Sequence, residues 1–143
     1  MSRTPQLVTV MTPFPWWIDI DDPLLAARDL MRQHKVRHLP VKDAGRLVSV
    51  VTDRDLKFAL DPELGLPPRQ SLRVRDVCVF TAYIVEVATP LEEVLETMAE
   101  RKIGSAIITR DGKLVGIVAC PDVCQAFARV LRQLRGETSP DAG

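Results

Sequence analysis

A hydroxyl and a carboxylate three residues apart, Thr52 and Asp55, stand where the apolar run 47–51 ends and a helical stretch begins. A helix start carries unpaired backbone N–H groups and the positive end of the helix dipole, so it attracts a capping side chain or an anionic ligand alike. Two roles are therefore open to this pair. As a cap, the first-turn aspartate gains about 0.3–1 kcal/mol from the dipole with no ligand present. As a ligand site, the carboxylate accepts from ligand hydroxyls and the threonine hydroxyl bonds a sugar or phosphate oxygen. Cations lie nearby in the sequence. Arg37 and His38 precede Leu39-Pro40-Val41; an arginine can fork two phosphate oxygens, and a histidine adds charge only near or below its pKa. The plainer role for His34, Lys35, Arg37 and Arg54 is a solvated helix surface.

No catalytic constellation accompanies these groups: the chain has no Gly-x-Ser-x-Gly elbow, no Walker loop and no His-Glu-x-x-His, and no enzyme is expected. Cys120 and Cys124 are four apart, Cys78 is distant, and both histidines, His34 and His38, are in the other half. Zinc wants four ligands, usually in close pairs, so the three cysteines are expected to be small buried apolar residues rather than a metal site. An uneven cysteine count also points to a reducing cytoplasm. The 19 basic and 19 acidic side chains cancel, which leaves no global field for nucleic acid or an anionic membrane. With 143 residues and 46% apolar content, one core of domain size is expected.

The elements that position these residues come twice. Sliding the sequence by 67 positions aligns 10–56 with 77–123 without a gap, with identities that include Val10/Val77, Pro23/Pro90, Leu24/Leu91, Met31/Met98, Gly45/Gly112, Leu47/Leu114, Val51/Val118 and Asp55/Asp122. Each copy reads as strand, helix, strand, strand, helix. Thr89-Pro90-Leu91-Glu92 suggests a capping box, with Asp22 in the corresponding place of the first copy. Leu91, Val94, Leu95 and Met98 form one apolar stripe. Asp43-Ala44-Gly45 and Asp111-Gly112 are hairpin turns between short β-branched strands. Val123, Phe127, Val130, Leu131 and Leu134 mark a long stripe on the last helix. The expected boundaries are 1–60 for the first repeat, 61–71 for a connector, 72–135 for the second repeat and 136–143 for a mobile polar tail. About 50 ordered residues make a marginal core, so neither half is expected to stand alone.

The stretches Arg37-His38-Leu39-Pro40-Val41, 45–56, Gly104-Ser105-Ala106 and 112–118, with Val10-Met11-Thr12-Pro13 ahead of them, resemble the cystathionine β-synthase (CBS) domain, here as a tandem pair. The resemblance implies an α+β fold of two β-α-β-β-α repeats packed sheet to sheet about a pseudo-twofold axis. It also implies clefts for adenosine-containing ligands: AMP, ADP, ATP, NAD or S-adenosylmethionine, with AMP or ATP foremost. By resemblance Asp55 and Thr52 hold the ribose, Arg37 and His38 the phosphates, with their order reversed relative to the family, and Ser105 is the phosphate-facing serine of the second copy. There Asp122 remains, but Ala119 replaces the threonine, so the Thr52/Asp55 site is expected to be the better of the two. Trp17 and Ile84, equivalent in the repeat, are candidates for the adenine slot with Pro40 and Ile107. Core packing is the expected role of Trp16 and Trp17 individually. The family further implies a homodimer formed through helices and an effector protein to which a regulatory module signals. The alternative is a dimerisation module whose clefts are vestigial.

Overall fold

The computed structural model describes residues 5–13, 16–64, 71–78 and 82–136; most of the expected connector and the expected tail, with Phe14, lie outside them. Each repeat has the anticipated order. In the first, β2 (Ile18–Asp19), α2 (Leu24–His34), β3 (His38–Asp43), β4 (Arg46–Thr52) and α3 (Asp53–Ala59) follow one another. In the second they are β5 (Ile84–Glu86), α4 (Leu91–Arg101), β6 (Ser105–Arg110), β7 (Lys113–Ala119) and α5 (Cys120–Leu134). The first strand of each repeat runs parallel to the second across its helix, and the second and third form an antiparallel hairpin. Even the register irregularity recurs, between Val41 and Lys42 and between Ile108 and Thr109.

The hairpins turn as their sequences require. Ala44 and Gly45 have φ of 51° and 81°, Asp111 and Gly112 52° and 79°; two successive left-handed residues match the twist of the strands they join. In the second repeat the turn is also tied down from outside. Glu86 accepts from the Thr109 hydroxyl at 3.0 Å and from the backbone N–H groups of Asp111 and Gly112 at 3.1 Å each. These bonds hold its carboxyl below the usual carboxylate range, the Gly112 N–H contributing most.

The helix starts differ from the sequence expectation. Thr89 and Asp22 do not cap; Pro90 and Pro23 occupy the cap positions, with no side-chain hydrogen bond. A proline there has no N–H to satisfy and lends its carbonyl to the first helical donors, Ala26 at 3.0 Å and Glu93 at 3.1 Å. The Asp22 carboxylate instead turns back to the Asp19 N–H, at 3.2 Å.

The chain packs as two units: residues 15–83 form one, and 1–14 with 84–143 the other. The leading segment of each repeat packs with the other repeat. Thus α1 (Leu7–Val10) and β1 (Thr12–Pro13) join the second repeat, where β1 pairs with β7 to give a sheet ordered β1-β7-β6-β5. Correspondingly, residues 72–78 join the sheet β2-β3-β4 unit: the N–H of Val74 donates to Asp22 O at 3.0 Å and that of Arg75 to Ile20 O at 2.8 Å, while Leu72, Val74 and Cys78 enter its core beside Ile18, Leu24, Val41 and Val51. The side chains at the exchanged contacts are matched in size. Met11 lies against Gly116, where a Cβ would overlap its sulfur, whereas the equivalent Cys78 meets Ser49. Each repeat thus obtains apolar surface that some 50 residues cannot supply on their own.

Burial divides the cysteines. Cys78 is buried as expected, but Cys120 and Cys124 are exposed, because α5 buries none of its residues fully. Its stripe is open to solvent, with Phe127 and Leu134 61% and 76% exposed. Among the described residues no helix is long and apolar enough to cross a membrane.

Candidate functional site

In the first repeat three elements meet at the start of α3. His38, the first residue of β3, lies opposite Thr52, the last of β4, in the antiparallel ladder. The carbonyl of Arg37 accepts the Asp53 N–H at 2.9 Å, which sets Arg37 beside the first turn of the helix. Thr52 and Asp55 close on one another: the Thr52 N–H donates to Asp55 Oδ2 at 2.9 Å, and the Asp55 N–H donates to Thr52 Oγ1 at 3.2 Å. The capping role is therefore realised. It does not exhaust the carboxylate, for among the described residues Asp55 Oδ1 has no hydrogen bond. Arg54 is exposed on the first turn of α3.

The corresponding step in the second repeat is closed further. Ser105 is buried opposite Ala119, as His38 is paired with Thr52. The Ala119 N–H donates to Asp122 Oδ2 at 2.8 Å. The other oxygen, Oδ1, accepts from the hydroxyl of Thr12 at 3.2 Å. Both oxygens of Asp122 are thus engaged inside their own unit, and Ala119 offers no hydroxyl.

The two tryptophans are not core residues. Trp16 and Trp17 are 47% and 46% exposed. Trp16 stacks on His34, with ring centroids 3.6 Å apart and planes within 13°, and Lys42 Nζ sits 4.3 Å from the centre of the Trp17 ring. The buried positions of segment 16–20 go to Ile18 and Ile20, so the rings lie along the surface, each with a cationic or imidazole partner. Ile84 is 39% exposed and stands in register with buried Ile107; Pro40 is buried.

The structure therefore sorts the candidate residues into two groups. Trp17, Arg37, His38, Thr52, Arg54 and Asp55 belong to one unit, and Ile84, Ser105 and Asp122 to the other. Sequence reasoning missed Thr12, which occupies Asp122, and Lys42, which covers one face of Trp17. The repeat held a signal for the first: the residue equivalent to Thr12 is Val79, which cannot donate.

The profile of the CBS domain matches residues 7–62 and 74–129. The chain is similar to the inosine-5'-monophosphate dehydrogenase of Korarchaeum cryptofilum, 35% identical over 104 residues; the match takes in 72% of this chain but only 20% of the dehydrogenase, so the chain spans about a fifth of that relative. Among solved structures, an uncharacterized conserved protein from Pyrococcus horikoshii superposes with a TM-score of 0.74 at 28% identity, covering 89% of this chain and 95% of the other. The CBSX2 protein in complex with AMP superposes with a TM-score of 0.73 at 27% identity, covering 90% of this chain and all of CBSX2.

Proposed function

The chain belongs to the CBS-domain family as a tandem pair, and from that premise we propose that it is a regulatory module sensing an adenosine-containing nucleotide, AMP or ATP foremost, at the start of α3. The observation that carries the reading is the contrast between Asp55, with Oδ1 left without a partner among the described residues, and Asp122, with both oxygens engaged. Asp55 Oδ1 accepts the ribose hydroxyls, and the Thr52 hydroxyl, whose hydrogen is not used by the cap, bonds the sugar or a phosphate oxygen. Arg37 and His38 face the phosphates. Trp17 offers the adenine the ring face away from Lys42. The second repeat, with Ser105, Ile84 and Asp122, is the weaker site, and one nucleotide binds per chain. The AMP complex of CBSX2 supports the ligand class. Occupancy is passed to an effector protein.

Calorimetry on ligand-free protein with AMP, ATP, NAD and S-adenosylmethionine tests this. AMP or ATP is expected to bind with a stoichiometry of one, and Asp55→Ala to weaken it about 100-fold, the loss of charge-assisted bonds to two hydroxyls. Absence of heat with all four ligands, or unchanged affinity in the variant, would refute the assignment.

A second reading, self-association as the role, is favoured by one observation: the exposed apolar face of α5, Phe127, Leu131 and Leu134. Light scattering distinguishes them, since a homodimer indifferent to nucleotide and broken by Phe127→Glu would favour association alone.

A further inference from the structure

We infer that the first repeat carries a second anion site, apart from the Thr52/Asp55 step, in the groove between α2 and α3, and that it takes a small molecule bearing two or more phosphate groups. The groove has a volume of ≈ 610 Å³, within the range of small-molecule sites (about 300–1,000 Å³). Its floor is apolar, Met31, Val36, Leu56 and Leu60, and its walls are Arg28, Arg32, Lys35, Arg37 and Lys57 against a single carboxylate, Asp53. Asp53 is already taken by Lys57, at 3.0 Å. Arg28 has only its exposed neighbour Asp29, at 3.4 Å, and its Nε is buried without a hydrogen-bond partner among the described residues. Arg32, Lys35 and Arg37 have no ion pair among those residues.

The second repeat serves as an internal control on the usual explanation, that such cations merely solvate a helix surface. It has the same helices and the same left-handed lysine, Lys35 and Lys102, at the helix end. Of the five cations only that lysine recurs; Arg28, Arg32, Arg37 and Lys57 become Leu95, Ala99, Gly104 and Cys124. The fold itself therefore does not need them. Guanidinium groups fork phosphate oxygens, and an apolar floor beneath them suits the organic part of a phosphorylated metabolite. Arg37 is the one residue shared with the nucleotide site, and it stands at the boundary between the two.

Sodium tripolyphosphate is the probe, titrated calorimetrically into the full chain at about 150 mM salt, where screening suppresses loose surface attraction. Binding is expected in the wild type and at least tenfold weaker in Arg28→Leu/Arg32→Ala, which installs the residues the second repeat uses at those places; Arg32→Ala alone, at an exposed position, gives an intermediate loss. Asp55→Ala, which removes the ribose contact, leaves tripolyphosphate binding in place, and Arg28→Leu/Arg32→Ala leaves AMP binding in place, so the failure of either site is read separately. Three results overturn the proposal: no tripolyphosphate binding by the wild type, equal affinity in the folded double variant, or loss of binding in Asp55→Ala alone. A fourth also does so: dissociation of a dimer by the double variant with no anion binding, which would assign the cations to the acidic face of α4, Glu92, Glu93, Glu96 and Glu100, on a second copy.

Discussion

The hydroxyl of Thr12 donates to Asp122 Oδ1 at 3.2 Å, so that a residue from the start of the chain fills the carboxylate that the second repeat would otherwise present to a ligand. The residue 67 positions on from Thr12 is Val79, which has no hydroxyl, and among the described residues Asp55 Oδ1 has no hydrogen bond. Installing the first repeat's chemistry in the second should open it. Thr12→Val/Ala119→Thr is expected to raise the nucleotide stoichiometry from one to two per chain, the new site gaining about 2–10-fold in affinity, as one or two recovered hydrogen bonds imply. A stoichiometry that stays at one would show that Asp122 is not limiting.

The exchange of leading segments is tested at Gly116. A methyl there meets the Met11 sulfur and, at 3.0 Å, the Thr12 carbonyl. Gly116→Ala should cost about 1–3 kcal/mol by overpacking. Met11→Ala in the same chain should recover part of that loss, a coupling that denaturant unfolding of the four members of the cycle reads directly. Additive losses would mean that the thioether moves aside freely.

Thiol chemistry should separate the cysteines. Burial raises the Cys78 pKa and shields its sulfur, while Cys120 and Cys124 stand exposed on α5. Native protein is expected to release two equivalents of thiol to Ellman's reagent rapidly and the third only in denaturant. Rapid reaction of all three would indicate that the segment around Cys78 leaves the core of residues 15–83.

Acid should act through Glu86 and Asp21. Glu86 is held low by the Gly112 N–H above all, and Asp21 by the hydrogen bond from Arg75, reinforced by the charges of Arg75 and Arg73. For a carboxyl with a lowered folded pKa, the contribution is complete above the unfolded value of about 4 and disappears as pH falls through the folded value. The urea midpoint of wild type should therefore exceed that of Glu86→Gln at pH 7, and the gap should narrow towards pH 3. A gap independent of pH would remove the carboxylate from the account.

The repeat, its element order, both hairpins and the strand-to-helix step at Thr52 are all legible in the sequence, because each is set by local terms: apolar periodicity, turn residues with positive φ, and a cap three residues long. The family follows from the same stretches. The sequence also exposes the missing hydroxyl at Ala119, since two aligned copies reveal which position has lost its function. Other features depend on groups brought together from far apart. Nothing local tells that Thr12 reaches Asp122 across 110 positions, or that Met11 and Cys78 each pack with the other repeat. Nor does local pattern tell that two adjacent tryptophans lie on the surface with His34 and Lys42 while Ile18 and Ile20 take the core. The basic groove is of the same kind: Arg28, Arg37 and Lys57 are scattered in sequence, and only the packing of α2 against α3 makes them walls of one site. Periodicity assigns residues to faces of their own element; which faces meet is decided by the competition among all of them for a limited buried volume.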